Sequence, residues 1–116
     1  MLFEFTVSGS EIVLHSFVGQ KDGTYPNGGL VLDGQGNLYG TTYMGGVGYS
    51  CDEGCGTVFE VTPSGAETVL YSFNGRYRDD GAFPLAGVAM DANGNIYGTT
   101  EVGGVYDWGT VFKLTH

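Results

Sequence analysis

The chain is poor in bases. Four Lys and Arg stand against thirteen Asp and Glu, for a formal net charge of −9 over 116 residues. Nucleic acids and anionic membranes select for basic patches, so neither is expected as a partner. The acids are spread along the chain and read as a solvated surface. No apolar run is long enough to cross a bilayer. No signal peptide is expected either, because Met1–Phe5 reads as the start of a strand and not as a charged leader before an apolar stretch. Three prolines and no G-X-Y period exclude collagen despite 22 glycines. Two cysteines are too few to fix the redox compartment. No segment carries a helical period.

What is present is repetition. Glu11–Phe17 (E-I-V-L-H-S-F) returns 56 residues later as Glu67–Phe73 (E-T-V-L-Y-S-F). Gly36–Thr42 (G-N-L-Y-G-T-T) returns 58 residues later as Gly94–Thr100 (G-N-I-Y-G-T-T). Gly56–Phe59 (G-T-V-F) returns 53 residues later as Gly109–Phe112. A period of this length marks a repeat architecture, in which each unit buries its face against a neighbour. Aromatics, β-branched residues and punctuating glycines point to short strands and tight turns.

One unit reads as four strands. Leu85–Asp91 is followed by the turn Ala92–Asn95, and Ile96–Thr100 by the Gly-rich loop 101–108. Thr110–Thr115 is the third strand. The fourth is seen in the other unit, where Phe59–Thr62 leads through the turn Pro63–Ala66 into Glu67–Phe73. Four antiparallel strands in this length match one β-propeller blade, of which a propeller holds about 4 to 8. The fold class expected is all-β: two four-stranded blades per chain plus a duplicated third strand, Leu2–Thr6 against Thr110–Thr115. The organisation is a partial blade at 1–17, a full blade at 28–73 and a partial blade at 85–116. Gly29, Gly87 and Ala89 suit a crowded centre. Tyr39 and Tyr97 are assigned to the core, and Thr41, Thr42, Thr99 and Thr100 are expected to tie adjacent blades.

Two blades leave two large apolar faces uncovered, more than soluble monomers usually expose. A head-to-tail ring of identical chains closes them. The partner expected is therefore the chain itself, with a trimer of six blades preferred over a tetramer or a dimer. The competing reading is an excerpt from a longer array.

Strand direction places the long loops, 18–27, 43–55, 74–83 and 101–108, on one rim. Loops on one face of a repeat scaffold carry function. Tyr25, Tyr49, Tyr77, Asp79, Asp80, Tyr106, Asp107 and Trp108 are the ligand-binding candidates: rings stack on sugar faces and carboxylates accept hydroxyl hydrogens. For any one tyrosine, packing between blades is the competing reading. Cys51 and Cys55 are a disulfide candidate, with free thiols the alternative. No metal site is expected, since zinc wants four ligands and no paired cysteines or nearby histidine accompany them. Asp91–Asn95 lacks the closing Glu of a calcium loop and reads as a hairpin turn. Gly45–Gly48 is no phosphate loop, because no Lys-Ser/Thr follows. His15 and His116 have no evident Ser or Cys partner, so no catalytic residue and no cofactor is assigned.

The combination of Leu38–Thr42, Gly45-Gly46, Gly56–Phe59, Gly65, Glu67, Ser72-Phe73, Asp80-Gly81 and Pro84 resembles the GloVer tandem repeat of Gloeobacter and Verrucomicrobia. The G-N-L-Y pattern is similar to blades of NHL and streptogramin-lyase-type propellers. The resemblance implies a long, repetitive, exported protein at the cell surface, although no leader or anchor is visible in this chain. It brings no catalytic residues. The function expected is a non-enzymatic propeller module that closes into a ring, with a structural or binding role. A lectin-like module using the long-loop aromatics is the alternative, and a propeller lyase or hydrolase comes third.

Overall fold

The computed structural model describes residues 1–5, 9–48, 51–75 and 80–116. The described residues form an all-β structure with a single 3-10 turn, η1 (Gln20–Asp22). Its strands are β1 (Leu2–Phe5), β2 (Glu11–His15), β3 (Val31–Leu32), β4 (Leu38–Thr42), β5 (Thr57–Val61), β6 (Glu67–Ser72), β7 (Gly81–Ala82), β8 (Ala89–Met90), β9 (Ile96–Thr100), β10 (Val102–Gly103) and β11 (Thr110–Leu114). The central sheet is the antiparallel meander β3-β4-β5-β6, flanked by the N-terminal hairpin β1-β2 and the three-stranded C-terminal sheet β8-β9-β11. Together they make a plate of 48 × 31 × 19 Å.

The sequence repeat is a repeat of register. Thr42, Gly40 and Leu38 of β4 oppose Thr57, Phe59 and Val61 of β5. Thr100, Gly98 and Ile96 of β9 oppose Thr110, Phe112 and Leu114 of β11 in the same way. The outer pair repeats as well. Val58 opposes Tyr71 and Phe59 opposes Val69, with a bulge between; Leu2 opposes His15 and Phe3 opposes Val13, again with a bulge. The hairpin thus copies the outer half of the central sheet, and the C-terminal sheet copies its inner three strands. Strand β1 and strand β11 both hold the third position.

Glycine at 40 and 98 is dictated by its cross-strand partner. A methyl on Gly40 would stand 2.8 Å from Phe59 Cζ, and one on Gly98 would stand 2.5 Å from Phe112 Cζ. Each phenylalanine ring fills the space of the missing side chain, a device that fixes register. Each is also the anchor between neighbouring sheets. Phe17 meets Phe59 edge-on, with centroids 5.2 Å apart, and Phe73 meets Phe112 at 5.2 Å. Edge-to-face pairs contribute beyond the area they bury. The core follows these contacts: Leu2, Phe59 and Val61 form one cluster, and Tyr39, Val58, Phe73, Val88 and Ile96 belong to the other.

Three expectations need correction. The first strand of each unit, β3 and β8, is two residues long, shorter than expected from Leu85–Asp91. The approach at the centre is backbone against backbone, since a methyl on Gly87 would stand 2.6 Å from Gly29 O. The threonines divide their roles. Thr41 Oγ1 does donate across sheets, to Ala86 O at 3.0 Å. Thr42 and Thr100 pair within their own sheets, with Thr57 at 2.8 Å and Thr110 at 2.7 Å, because the register sets each pair opposite. Thr99 is exposed. The segment 101–108 is also not wholly loop: β10 pairs with β7, and an isolated bridge joins Thr24 to Met44 at the corresponding place in the first unit.

Candidate functional site

Both rims are built by aspartates that gather backbone N–H groups. On the long-loop rim, Asp80 accepts from Tyr71 Oη at 2.6 Å, Asn74 N–H at 2.9 Å and its neighbour Gly81 N–H at 2.8 Å. Burial first, and then this bond, push the Tyr71 phenol up to about 12. In the first unit Asp22 holds the matching place, accepting from Val18 N–H at 3.1 Å and lying 3.3 Å from His15 Nε2. Cys51 and Cys55 form a disulfide with a Cα separation of 5.3 Å. Tyr43 stacks on Phe83 and donates to Glu101 at 2.8 Å, which joins the two units across this rim. Tyr25 and Phe83 occupy matching places before Pro26 and Pro84, and both have positive φ, 61° and 60°.

Two clefts open on this rim. One, of about 490 Å³, is lined by Met44, Cys51, Asp52, Phe83, Val102 and Asp107 among others. The second, of about 710 Å³, includes Lys21, Tyr25, Val47, Asp52 and Glu53 in its walls. The candidate residues are therefore dispersed. Tyr25 is 56% exposed at the second cleft. Asp107 lines the first cleft and accepts Gly103 N–H at 3.1 Å. Tyr106 and Trp108 are 84% and 89% exposed and line neither of these two clefts. Asp80 is engaged in holding its own loop. Tyr49, Tyr77 and Asp79 lie outside the described residues.

The opposite rim carries a feature that sequence reasoning missed. Asp33 Oδ1 accepts the N–H groups of Gln35 and Asn37, both at 2.9 Å, while Oδ2 accepts Asn37 Nδ2 and Tyr39 Oη, both at 3.0 Å. Asp91 repeats this with Asn93, Asn95 and Tyr97 at the same four distances. Gly36 and Gly94, with φ of 87° and 85°, complete each turn as the left-handed residue of a three-residue hairpin loop. At Asp91 the bonds from Asn95 hold the carboxyl down at about 2. At Asp33 the largest influence is desolvation, which pushes the carboxyl up, and the bonds from Asn37, Gln35 and Tyr39 together outweigh it, to about 2 again.

Between the two turns lies a cleft of about 690 Å³, lined by Asp33, Tyr39, Glu60, Asp91, Asn93 and His116 among others. Tyr39 Oη lies 2.8 Å from Glu60 Oε2 as well as 3.0 Å from Asp33. Burial first, then these two carboxylates, push the buried phenol far above the ordinary tyrosine range. In the second unit Lys113 takes the place of Glu60 and lies over the Tyr97 ring at 5.9 Å. This cleft is rich in acceptors. The signal available in the sequence was the doubled D-x-x-G-N-x-Y, with Asp and Tyr six residues apart in both units.

The Gloeobacter/Verrucomicrobia repeat model matches residues 1–116. The chain belongs to the Gloeobacter/Verrucomicrobia repeat family. Comparison with curated proteins and with solved structures gives no match.

Proposed function

We propose that this Gloeobacter/Verrucomicrobia repeat chain is a two-blade building unit of a β-propeller, closed into a ring by copies of itself, with three chains making six blades. One observation carries the reading. Val58 on β5 is fully buried, whereas Val111, its counterpart on β11, is 83% exposed. The C-terminal sheet thus presents the face that the central sheet covers. The matching registers support the same reading: the C-terminal sheet lacks a fourth strand, and the N-terminal hairpin of a second copy carries one in β2. Tyr25 is 56% exposed where Phe83 is stacked on Tyr43, and among the described residues no ring packs on it.

Light scattering coupled to size exclusion tests this. A single species at three times the chain mass is expected. A monomer that unfolds cooperatively at high dilution overturns the ring.

The second reading is a glycan-binding module. Tyr25, in the long-rim cleft with Asp52 and Glu53, supports it, since a ring can stack on a sugar face while carboxylates accept its hydroxyl hydrogens. Unchanged tryptophan and tyrosine fluorescence across a panel of saccharides removes it.

A further inference from the structure

We propose that His15, Asp22 and Glu67 form a site for one divalent transition-metal ion, with zinc the best fit, and that the ion clamps the N-terminal hairpin to the central sheet. The three residues come from three elements: the end of β2, η1 and the start of β6. Their ligand atoms all lie within 4.8 Å of one another. The His15 and Asp22 side chains are 18% and 16% exposed. Val18 N–H donates to Asp22 Oδ2, and the His15 ring nitrogen Nε2 stands 3.3 Å from the same oxygen. Asp22 Oδ1 and Glu67 Oε2 are buried, and among the described residues neither has a hydrogen-bond donor.

Buried carboxylate oxygens without a donor are unusual and ask for an explanation. Here two carboxylates approach each other beside a single imidazole. A divalent ion between the three answers every part of this. Its charge offsets both carboxylates, the orphaned oxygens coordinate it, and the neutral imidazole supplies a ring nitrogen that turns from Asp22 to the ion. One nitrogen and two oxygens, with the remaining positions left to water, suit zinc and its first-row neighbours better than calcium, which takes oxygen ligands.

The other unit provides the internal control. Tyr71 and Asp80 take the places of His15 and Asp22, and the phenol donates to the carboxylate at 2.6 Å. Asn74 N–H serves that carboxylate as Val18 N–H serves Asp22. A phenol therefore satisfies the structural bond by itself. The imidazole at 15 adds what a neutral phenol lacks, a good metal-binding nitrogen.

The test is isothermal titration of the chelator-treated chain with zinc chloride, together with its melting temperature, at one fixed chain concentration so that assembly is held constant. One equivalent per chain is expected, and the melting temperature should rise by about 5 °C or more at a hundredfold excess over the dissociation constant. His15→Tyr keeps the bond to Asp22, and Glu67→Gln keeps the shape. Each should weaken binding by at least about tenfold, since even the outer partners of metal ligands matter that much. Absence of binding overturns the site, as does binding unchanged in both variants. Binding lost only in His116→Ala would move the ion to the short rim, and an equal shift with calcium would remove the imidazole from the site. Either result overturns the proposal.

Discussion

The central sheet and the C-terminal sheet share sequence, register and turn chemistry, yet they differ in burial. Val58 and Val61 are fully buried, while Val111 is exposed and Leu114 half-buried. Thr41 is 2% exposed and bonds across to Ala86, while Thr99 faces solvent. Strand pairing is decided within a unit by residues that oppose one another. Burial is decided by the neighbour. The two properties are written in different places, and the contrast separates them cleanly.

The contrast can be broken at its anchors. Phe59→Ala removes a fully buried ring and should cost about 3–5 kcal/mol in denaturant unfolding. Phe112→Ala should cost clearly less, because its ring is only partly buried. Equal losses would mean that the face of the C-terminal sheet is covered in solution.

The turn aspartates sharpen the comparison in the other direction, since they are alike in both sheets. Their carboxyls sit at about 2 against an ordinary 3.8. A lowered folded value contributes stability that is complete above about pH 4 and is lost as pH falls from there towards 2. Asp33→Asn and Asp91→Asn should each flatten that acid limb by a similar amount, read as melting temperature against pH. A large inequality would show that the covered neighbour, and not the turn, sets the value.

The smallest effect on unfolding is expected from Val111→Asp. An exposed substitution of this kind usually stays within about 0.5 kcal/mol. Its effect on solution mass should nevertheless be decisive, reducing the proposed ring to single chains. An unchanged mass would show that this face is not the seam.

Much of the fold was legible because the chain repeats itself. The doubled E-x-V-L-x-S-F and L/I-Y-G-T-T segments give strand count, class and unit length, and Gly36 and Gly94 mark the turns. The Gly40–Phe59 and Gly98–Phe112 pairs were hidden, because a cross-strand partner is set by register and is not visible in a single strand. The division of labour among Thr41, Thr42 and Thr100 was hidden for the same reason. The candidate site was less legible. Aromatic content pointed to the long rim, where exposed Tyr106 and Trp108 stand apart from the two clefts. His15 was set aside for want of a partner. Asp22 lies seven residues on, and Glu67 belongs to the other unit.

The aspartate turns have one more consequence. Each is closed from within by hydrogen bonds among its own Asp, Asn and Tyr, so the turn carries its own closure. A unit hinged on such a corner keeps the same spacing between its strands whichever unit follows it. Sequence drift in the opposite loops can then accumulate without disturbing how one unit stacks upon the next.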